Sequence, residues 1–338
     1  MAILVTGGAG YIGSHTVLTL LERGDDVVVI DNLSNSSQKS LDRVAELTGK
    51  KPVVYIDNIL NRDALKTIFS SHNITDVIHF AGLKSVSESI KEPLAYYENN
   101  VTGTQVLLNE MLASGVKHFI FSSSATVYGN PEKIPLSEQS RTGDCTNPYG
   151  TSKLMVEKIL ADFSRAQPQF RITCLRYFNP VGAHPSGRIG EDPGGIPNNL
   201  VPYISQVAIG KLGSVSVYGN DYPTPDGTGV RDYIHVMDLA TGHLAALDSV
   251  DKGAAYKIIN LGTGIGYSVI NLIEAFEKAS QKKISYKIVG RRPGDIAECW
   301  SDPSLARKEL GWVATHNLDE MMRDTWNWQK NNPDGYKV

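Results

Sequence analysis

The chain has 338 residues, of which 41% are hydrophobic and 20% are charged, and about 150 residues per domain predicts two domains. Its 33 basic and 36 acidic residues leave a net charge of −3, without the basic excess of a general nucleic-acid binder. Three widely spaced cysteines without a CxxC pair indicate neither a disulfide framework nor a zinc site. No signal peptide or membrane-spanning run is recognisable, so we expect a soluble cytoplasmic protein that binds neither nucleic acid nor membrane.

Short apolar runs alternate with amphipathic stretches in the first half of the chain. Runs rich in Val, Ile and Phe predict buried strands at residues 3–5, 27–30, 53–56, 77–80, 119–121 and 172–175. Between them, helices are predicted that include residues 11–23, 63–70, 101–113 and 149–165. Because strands separated by helices form right-handed crossovers, we expect an α/β fold with a doubly wound, Rossmann-type parallel sheet.

A glycine-rich turn, Gly7 to Gly13, follows the first predicted strand and opens the first helix. Gly7 permits a tight turn, Gly10 lets a pyrophosphate approach the helix N-terminus, and Gly13 lets the helix pack closely on the strand. Asp31 ends the second strand, where an acid holds the ribose hydroxyls of NAD and repels the extra phosphate of NADP. NAD binding is therefore predicted. A second glycine run at 262–266 lacks such an acid, and we interpret it as a turn into a helix capped by Ser268.

Tyr149 and Lys153 are four residues apart after Pro148, so they are predicted to share one face of a helix. A lysine beside a phenol lowers the pKa of the phenol and makes it a usable base. Ser124 ends the fifth strand, where a hydroxyl can point into the ligand crevice. The YxxxK spacing often occurs by chance on an exposed helix, and most serines bond their local backbone. The three features in this order nevertheless favour a catalytic site.

The pattern changes near residue 180, where Gly, Pro and Asn become frequent and apolar periodicity weakens. We expect residues 1–180 to form the NAD-binding domain and residues 181–338 to form a smaller C-terminal α/β domain that binds substrate. A later segment, about 230–265, is expected to return to the first domain. An irregular structural insertion after residue 180 would produce the same composition.

Further motifs occur along the whole chain. They are TGGAGYIGSH at 6–15, DNLSNS at 31–36, HFAGLKSVSES at 79–89, FSSSATVYG at 121–129, NPYGTSK at 147–153, RYFNPVGAHPSG at 176–187, GIPNNL at 195–200, DGTGVRDYIHVMDLA at 226–240 and GRRPGD at 290–295. With them the chain resembles the extended short-chain dehydrogenase/reductase superfamily, and within it the family of UDP-hexose 4-epimerases. The resemblance extends from Ile3 to about Asp334.

The resemblance implies an isomerase that interconverts UDP-galactose and UDP-glucose through a transient 4-keto sugar, with NAD held tightly and recycled. Tyr149 would take the proton from the sugar 4-hydroxyl, Lys153 would bind the nicotinamide ribose, and Ser124 would hydrogen-bond the reacting oxygen. These three residues also belong to the implied NAD site, whose other members are Gly7, Gly10, Tyr11, Ile12, Gly13, Asp31, Asn32, Asn35, Ser36, Asn58, Ile59, Phe80, Ala81, Gly82, Lys84, Asn99 and Phe178.

The UDP-sugar site implied by the resemblance includes Ser124 and Tyr149. Its other members are Asn179, Asn199, Leu200, Ser216, Val217, Tyr218, Arg231, Tyr233, Arg292, Asp295 and Cys299. Two arginines suit a diphosphate, because each can engage phosphate oxygens with several donors. No metal site is expected. The resemblance also implies a homodimer, formed through helices near 91–114 and 149–167.

Two positions depart from the family pattern. Asn58 replaces an aspartate that holds the adenine amino group, so we expect weaker retention of NAD. Cys299 stands where family members with a tyrosine exclude the N-acetyl group, so interconversion of UDP-GalNAc and UDP-GlcNAc is also expected. The alternative for Cys299 is that it packs as a small hydrophobe.

Three other functions are weighed against the epimerase. A nucleotide-sugar 4,6-dehydratase or decarboxylase usually has an acid just after the serine segment, whereas Ala125 and Thr126 follow Ser124 here. A net reductase is disfavoured because Asp31 argues against NADPH. A non-enzymatic dinucleotide sensor could dispense with Tyr149 and Lys153.

Overall fold

The computed structural model describes residues 1–292 and 294–337, so Pro293, within the motif at 290–295, and Val338 lie outside the described residues. The strands are, in chain order, β1 (Ala2–Thr6), β2 (Asp26–Asp31), β3 (Val53–Ile56), β4 (Ile74–His79), β5 (His118–Ser124), β6 (Arg171–Tyr177), β7 (Asn179–Val181), β8 (Val215–Tyr218), β9 (Val230–His235), β10 (Tyr256–Leu261), β11 (Gly266–Ser268), β12 (Tyr286–Val289) and β13 (Glu298–Cys299). The helices are α1 (Tyr11–Arg23), α2 (Gln38–Thr48), α3 (Arg62–Ser71), α4 (Val86–Lys91), α5 (Pro93–Tyr96), α6 (Gly103–Ser114), α7 (Pro148–Ala166), α8 (Leu200–Ala208), α9 (Val236–Asp248), α10 (Val269–Ser280), α11 (Ser304–Leu310) and α12 (Leu318–Asn331). A π-helical segment (Tyr97–Thr102) joins α5 to α6, and a 3₁₀ turn (Ala125–Tyr128) follows β5.

Seven parallel strands form the central sheet, in the order β3-β2-β1-β4-β5-β6-β10. The chain moves outward from β1 to β3 and then returns to add β4 on the other side of β1. Such a reversal opens a crevice at the carboxyl ends of β1 and β4, where doubly wound folds bind their ligands. The predicted Rossmann-type, doubly wound α/β class is confirmed.

Strand β1 shows why the predicted strands are apolar throughout. Ile3 and Val5 belong to the core on one face of the sheet, whereas Ala2 and Leu4 belong to the core on the other face. Side chains alternate between faces along a strand, so a strand that is covered on both faces needs apolar residues at every position. Helices α1, α2 and α9 cover the first face, and α3, α6 and α7 cover the second.

Several predicted boundaries need correction. Helix α1 and strand β3 have the predicted limits, but β4 begins at Ile74, three residues before the predicted start. Asp76 interrupts the apolar run there, and its carboxylate is bonded to His118 on β5. The helix predicted at 101–113 is the end of a longer helical run from Pro93 to Ser114, which includes the π-helical segment.

A smaller layer follows the central sheet. Strand β9 pairs with β7, β11 and β13, and β8 pairs with β12. Helices α8, α10 and α12 surround a core that includes Ile204, Phe276 and Met321. Strand β10 joins the central sheet beside β6, and α9 packs on α1, whereas β9 belongs to the smaller layer. The domain boundary near residue 180 stays a prediction.

Ser268 caps α10 as predicted, through a reciprocal bond with Asn271. The glycine run before it has a structural task, because the backbone of Thr263 and Gly264 donates to the buried Asp232 carboxylate. None of the described helices is long and apolar enough to cross a membrane.

Candidate active site

The glycine turn after β1 leaves no room for a side chain at Gly7 or at Gly13. A Cβ at Gly7, whose φ is +69°, would lie 2.7 Å from the backbone nitrogen of Ala81 after β4. A Cβ at Gly13 would lie 2.2 Å from the carbonyl oxygen of Gly7. Gly10 begins α1 without a side-chain cap, and the first turn has no acid. The helix N-terminus therefore faces the crevice with free donors, an arrangement that fits a pyrophosphate.

Asp31 ends β2 and organises the loop beside this turn. Its Oδ2 accepts the amide of Ala9 at 2.9 Å, while its Oδ1 accepts the amide of Leu33 at 2.9 Å and the hydroxyl of Ser36 at 2.7 Å. Since a carboxylate oxygen has two lone pairs, Oδ2 can accept one further bond, for example from a ribose hydroxyl. In the same loop Asn32 bonds the amide of Ser34, and Asn35 lies 3.9 Å from the position of a Cβ at Gly194.

Asn58 begins the turn after β3. Its Oδ1 accepts the amide of Leu60 at 2.9 Å, and the neighbouring Ile59 is buried beneath Gly103. One lone pair of the Asn58 oxygen and the amide hydrogens remain for an adenine ring. Weaker retention of NAD because of Asn58 stays a prediction.

The loop after β4 lies between the π-helical segment and the catalytic helix α7. A Cβ at Gly82 would lie 3.3 Å from Oδ1 of Asn100 and 3.5 Å from Nζ of Lys153. Asn100, which sequence reasoning missed, is 3% exposed in the π-helical segment and bonds both backbone groups of Leu83. It also accepts a bond from Asn99 and donates one to Ser152 on α7. The cofactor loop is thus tied to the helix that carries Tyr149.

Three further members of the implied NAD site contact the second half of the chain. The hydroxyl of Tyr11 donates to the carbonyl of Gly182 at 2.6 Å. Lys84 pairs with Glu191 at 3.1 Å, a partner that the sequence did not indicate. Phe80 packs against His243 of α9, with ring centroids 4.7 Å apart.

Tyr149 and Lys153 lie on the first two turns of α7, which Asn147 caps by accepting the amide of Gly150. The expected lowering of the pKa of Tyr149 is wrong, because burial raises this pKa and only a hydrogen bond with Ser124 opposes the shift. Burial lowers the pKa of Lys153 to about 8. The ammonium lies 6.0 Å from the centre of the Tyr149 ring and donates to the carbonyl of Ser122 at 2.7 Å. The three catalytic candidates, which the sequence predicts on a helix and at the end of a strand, lie together where α7 packs against the end of β5.

Ser124 ends β5 and begins the 3₁₀ turn. Its Oγ accepts the amide of Thr126 at 3.3 Å and the hydroxyl of Thr126 at 3.0 Å. Neither Ala125 nor Thr126, the two residues that follow Ser124, carries a carboxylate.

The candidate substrate residues form two groups in the smaller layer. In the first, Asn179 pairs with Tyr233 between β7 and β9, and Arg231 pairs with Cys299 between β9 and β13. Cys299 packs in an apolar cluster with Ala125 of the 3₁₀ turn and with Phe178, which places this group beside the catalytic residues.

The second group lies on and near β8. The guanidinium of Arg292 lies 5.3 Å from the centre of the Tyr218 ring and pairs with Asp295 at 2.9 Å. Ser216 and Val217 precede Tyr218 on the strand. Asn199 stands at the N-cap of α8 without a side-chain cap bond, and it is followed by Leu200. The arginine is exposed, whereas the side-chain amide of Asn199 donates to Oε1 of Glu191 at 3.4 Å.

Comparison with known proteins gives a consistent family. A family model described as GDP-mannose 4,6 dehydratase matches residues 4–325. A UDP-glucose 4-epimerase from Yersinia enterocolitica is 64% identical over 99% of both chains. The structure of a UDP-glucose 4-epimerase from Bifidobacterium longum in complex with NAD+ and UDP has a TM-score of 0.96 and 54% identity, covering 99% of this chain and 100% of the other.

A UDP-glucose 4-epimerase from Stenotrophomonas maltophila, solved with NAD and formylated UDP-arabinopyranose, also has a TM-score of 0.96. It is 49% identical and covers 98% of this chain and 99% of its own. The epimerases match almost end to end at high identity, whereas the dehydratase description belongs to a broader family model. The chain belongs to the UDP-glucose 4-epimerase family of the extended short-chain dehydrogenase/reductases.

Proposed function

We propose that this chain is an NAD-dependent isomerase that interconverts UDP-galactose and UDP-glucose. The observation that carries the proposal is the junction of β5 and α7, where Tyr149, Lys153 and Ser124 meet beside the cofactor loop. This junction combines a phenolic base, a cation and a hydroxyl within one half-buried site. Such a set can deprotonate a sugar hydroxyl and stabilise the oxygen that results.

The glycine turn, Asp31 and the loop after β4 would hold NAD, which supplies a hydride acceptor and donor at C4 of the sugar. Tyr149 takes the proton of the 4-hydroxyl and later returns it, while Ser124 holds the same oxygen. The Lys153 ammonium favours the phenolate by its positive charge. Arg231 and Arg292 would bind the diphosphate.

The rival 4,6-dehydration is disfavoured by the residue beside the reacting oxygen. That reaction needs a carboxyl group for its further proton transfers, and Thr126 bonds Ser124 in its place. Incubation of the purified protein with UDP-galactose, followed by identification of the product, tests the proposal. We expect the 4-epimer, whereas a dehydrated keto-sugar or unchanged substrate would contradict it.

We further propose that the pocket accepts N-acetylated UDP-hexoses, because Cys299, which packs with Phe178 and Ala125, is much smaller than a tyrosine. The change Cys299→Tyr is expected to lower turnover of UDP-GalNAc about 10- to 100-fold, corresponding to ~1–3 kcal/mol of overpacking. Turnover of UDP-galactose should persist. Kinetic constants for both substrates check this expectation.

Cys145→Ser provides the matched control for Cys299→Tyr, since Cys145 lies outside the apolar cluster around Cys299. It should leave the ratio of the two activities unchanged. Absence of UDP-GalNAc turnover in the unmodified protein, or equal loss of both activities in Cys299→Tyr, would refute the role of Cys299.

We also propose a homodimer formed through the helical run 93–114 and α7. Apolar side chains are exposed on these helices, including Leu94 at 79%, Met155 at 44% and Leu112 at 39%. Covering such side chains is a common reason for association. Light scattering should give twice the mass of the chain, and a monomer at micromolar concentration would contradict the proposal.

The three cysteines are free, which supports the expected cytoplasmic location.

A further inference from the structure

Helix α7 carries a buried carboxylate, Glu157, one turn beyond Lys153 and two turns beyond Tyr149. Its side chain is 4% exposed. The Oε1 atom accepts the hydroxyl of Ser123 at 2.5 Å and Nε of Arg176 at 2.9 Å, and Oε2 accepts Nη2 of Arg176 at 2.7 Å. Both carboxylate oxygens are therefore bonded inside the protein, and none of the roles derived above uses this residue.

The contacts of Glu157 complete a set of three bonds between α7 and the end of β5. Lys153 binds the carbonyl of Ser122, Glu157 binds the hydroxyl of Ser123, and Tyr149 bonds with Ser124. Three successive turns of the helix thus contact three successive residues of the strand. Because Ser124 and Tyr149 must both reach one sugar oxygen, rotation or translation of the helix would separate them.

Arg176 extends this connection to the next strand. It pairs in register with Ser123 between β6 and β5, and it holds Glu157 with two parallel bonds. Its guanidinium lies 4.7 Å from the centre of the Tyr128 ring, which belongs to the 3₁₀ turn after Ser124. A single carboxylate therefore connects α7, β5 and β6 at the level of the catalytic residues.

We propose that Glu157 is a positioning residue for the reaction, which fixes α7 on β5 so that Tyr149, Lys153 and Ser124 face the same sugar oxygen. This inference rests on the proposed epimerase function. A buried ion pair adds little net stability compared with apolar residues of the same size. Its geometric specificity, with bidentate bonds and a third donor from the strand, is what the site uses.

The charge of Glu157 also acts on Lys153. Burial lowers the pKa of Lys153 to about 8, and the Glu157 carboxylate opposes that shift. The other titratable groups in this junction are Tyr149 on α7, His79 on β4, Arg176 beside Glu157, and Tyr177 beside Ser122. Burial lowers the pKa of His79 to about 3 and raises the pKa of Tyr177, so both are neutral near pH 7. Removing the Glu157 charge therefore lowers the pKa of Lys153, and the ammonium is lost at a lower pH.

The test measures kcat and KM for UDP-galactose between pH 6 and 10 in four variants. Glu157→Gln should lower kcat about tenfold or more, since small displacements of catalytic groups have effects up to about 100-fold. KM should change less. The high-pH limb of the kcat profile, which is the range in which kcat falls as the pH rises, should move to lower pH. Glu157→Asp keeps the charge and should keep the limb in place while kcat falls. Ser123→Ala, which changes no charge, should lower kcat without moving the limb.

Glu110→Gln is the matched control. Glu110 is a second buried carboxylate, which lies on α6 and pairs with Arg62 of α3 at 2.6 Å. It should lower thermal stability and leave the kcat profile unchanged. The inference is overturned if Glu157→Gln behaves like Glu110→Gln, or if its limb stays at the original pH. If Glu157→Gln does not fold, a wild-type kcat in Ser123→Ala overturns the inference. An unmodified protein that does not epimerise UDP-galactose overturns the proposed function itself, and this inference with it.

Discussion

Replacement of Tyr149 by phenylalanine is expected to lower kcat for UDP-galactose by a factor on the order of 10² to 10⁴. The variant loses the phenol that exchanges the proton of the 4-hydroxyl, while its ring still fills the same space at the start of α7. The KM and the amount of retained NAD should stay near the values of the unmodified protein, because the glycine turn and the arginines Arg231 and Arg292 are unchanged. Steady-state kinetics measure kcat and KM. The ratio of nucleotide absorbance to protein absorbance in the purified protein measures the retained NAD.

The pH dependence sharpens this expectation. Burial raises the pKa of Tyr149, so the phenolate needs nearby positive charge, and the ammonium of Lys153 supplies part of it. Since burial lowers the pKa of Lys153 to about 8, activity should fall at high pH as the ammonium loses its charge. Tyr55→Phe is the control, because this phenol bonds His72 near the edge strand β3. A Tyr149→Phe variant that keeps more than a tenth of the activity would contradict the assignment of Tyr149 as the base.

The change Gly13→Ala is expected to abolish retention of NAD and to destabilise the fold by about 1–3 kcal/mol. The new Cβ would lie 2.2 Å from the carbonyl oxygen of Gly7 and 2.8 Å from Cα of Gly8. Both neighbours are backbone atoms of the pyrophosphate turn, so α1 must move away from β1. The bound NAD should be missing after purification, and the melting temperature should fall.

Gly213→Ala is the matched control for Gly13→Ala. A Cβ at Gly213 meets nothing within 4 Å, and the backbone there is not in the left-handed conformation. That variant should keep its NAD and its melting temperature. A Gly13→Ala protein that retains NAD with unchanged stability would show that the turn does not hold the pyrophosphate.

The first crossover could be predicted closely from the sequence because its signals are local. An apolar strand, three spaced glycines and a periodic helix specify residues 2–23, and α1 has the predicted bounds. The pair Tyr149 and Lys153 was likewise found by its spacing after a helix-starting Pro148. In each case the residues that matter are within one or two turns of each other.

The polar residues that position the site could not be predicted, because their partners are distant in sequence. Glu157 looks like an ordinary helix residue until Arg176 arrives from β6, 19 residues later. Lys84 and Glu191 are 107 residues apart, and Asn100 falls in a π-helical segment that no simple periodicity indicates.

The central claim is that the chain inverts C4 of a UDP-hexose without net oxidation. The most direct measurement follows UDP-galactose that carries deuterium at C4, by NMR, with no added NAD. In the proposed reaction the hydrogen that leaves C4 returns to C4 of the same sugar. We predict UDP-glucose with the deuterium retained at C4, whereas loss of the label to solvent, a 4-keto-6-deoxy product or unchanged UDP-galactose would contradict the claim.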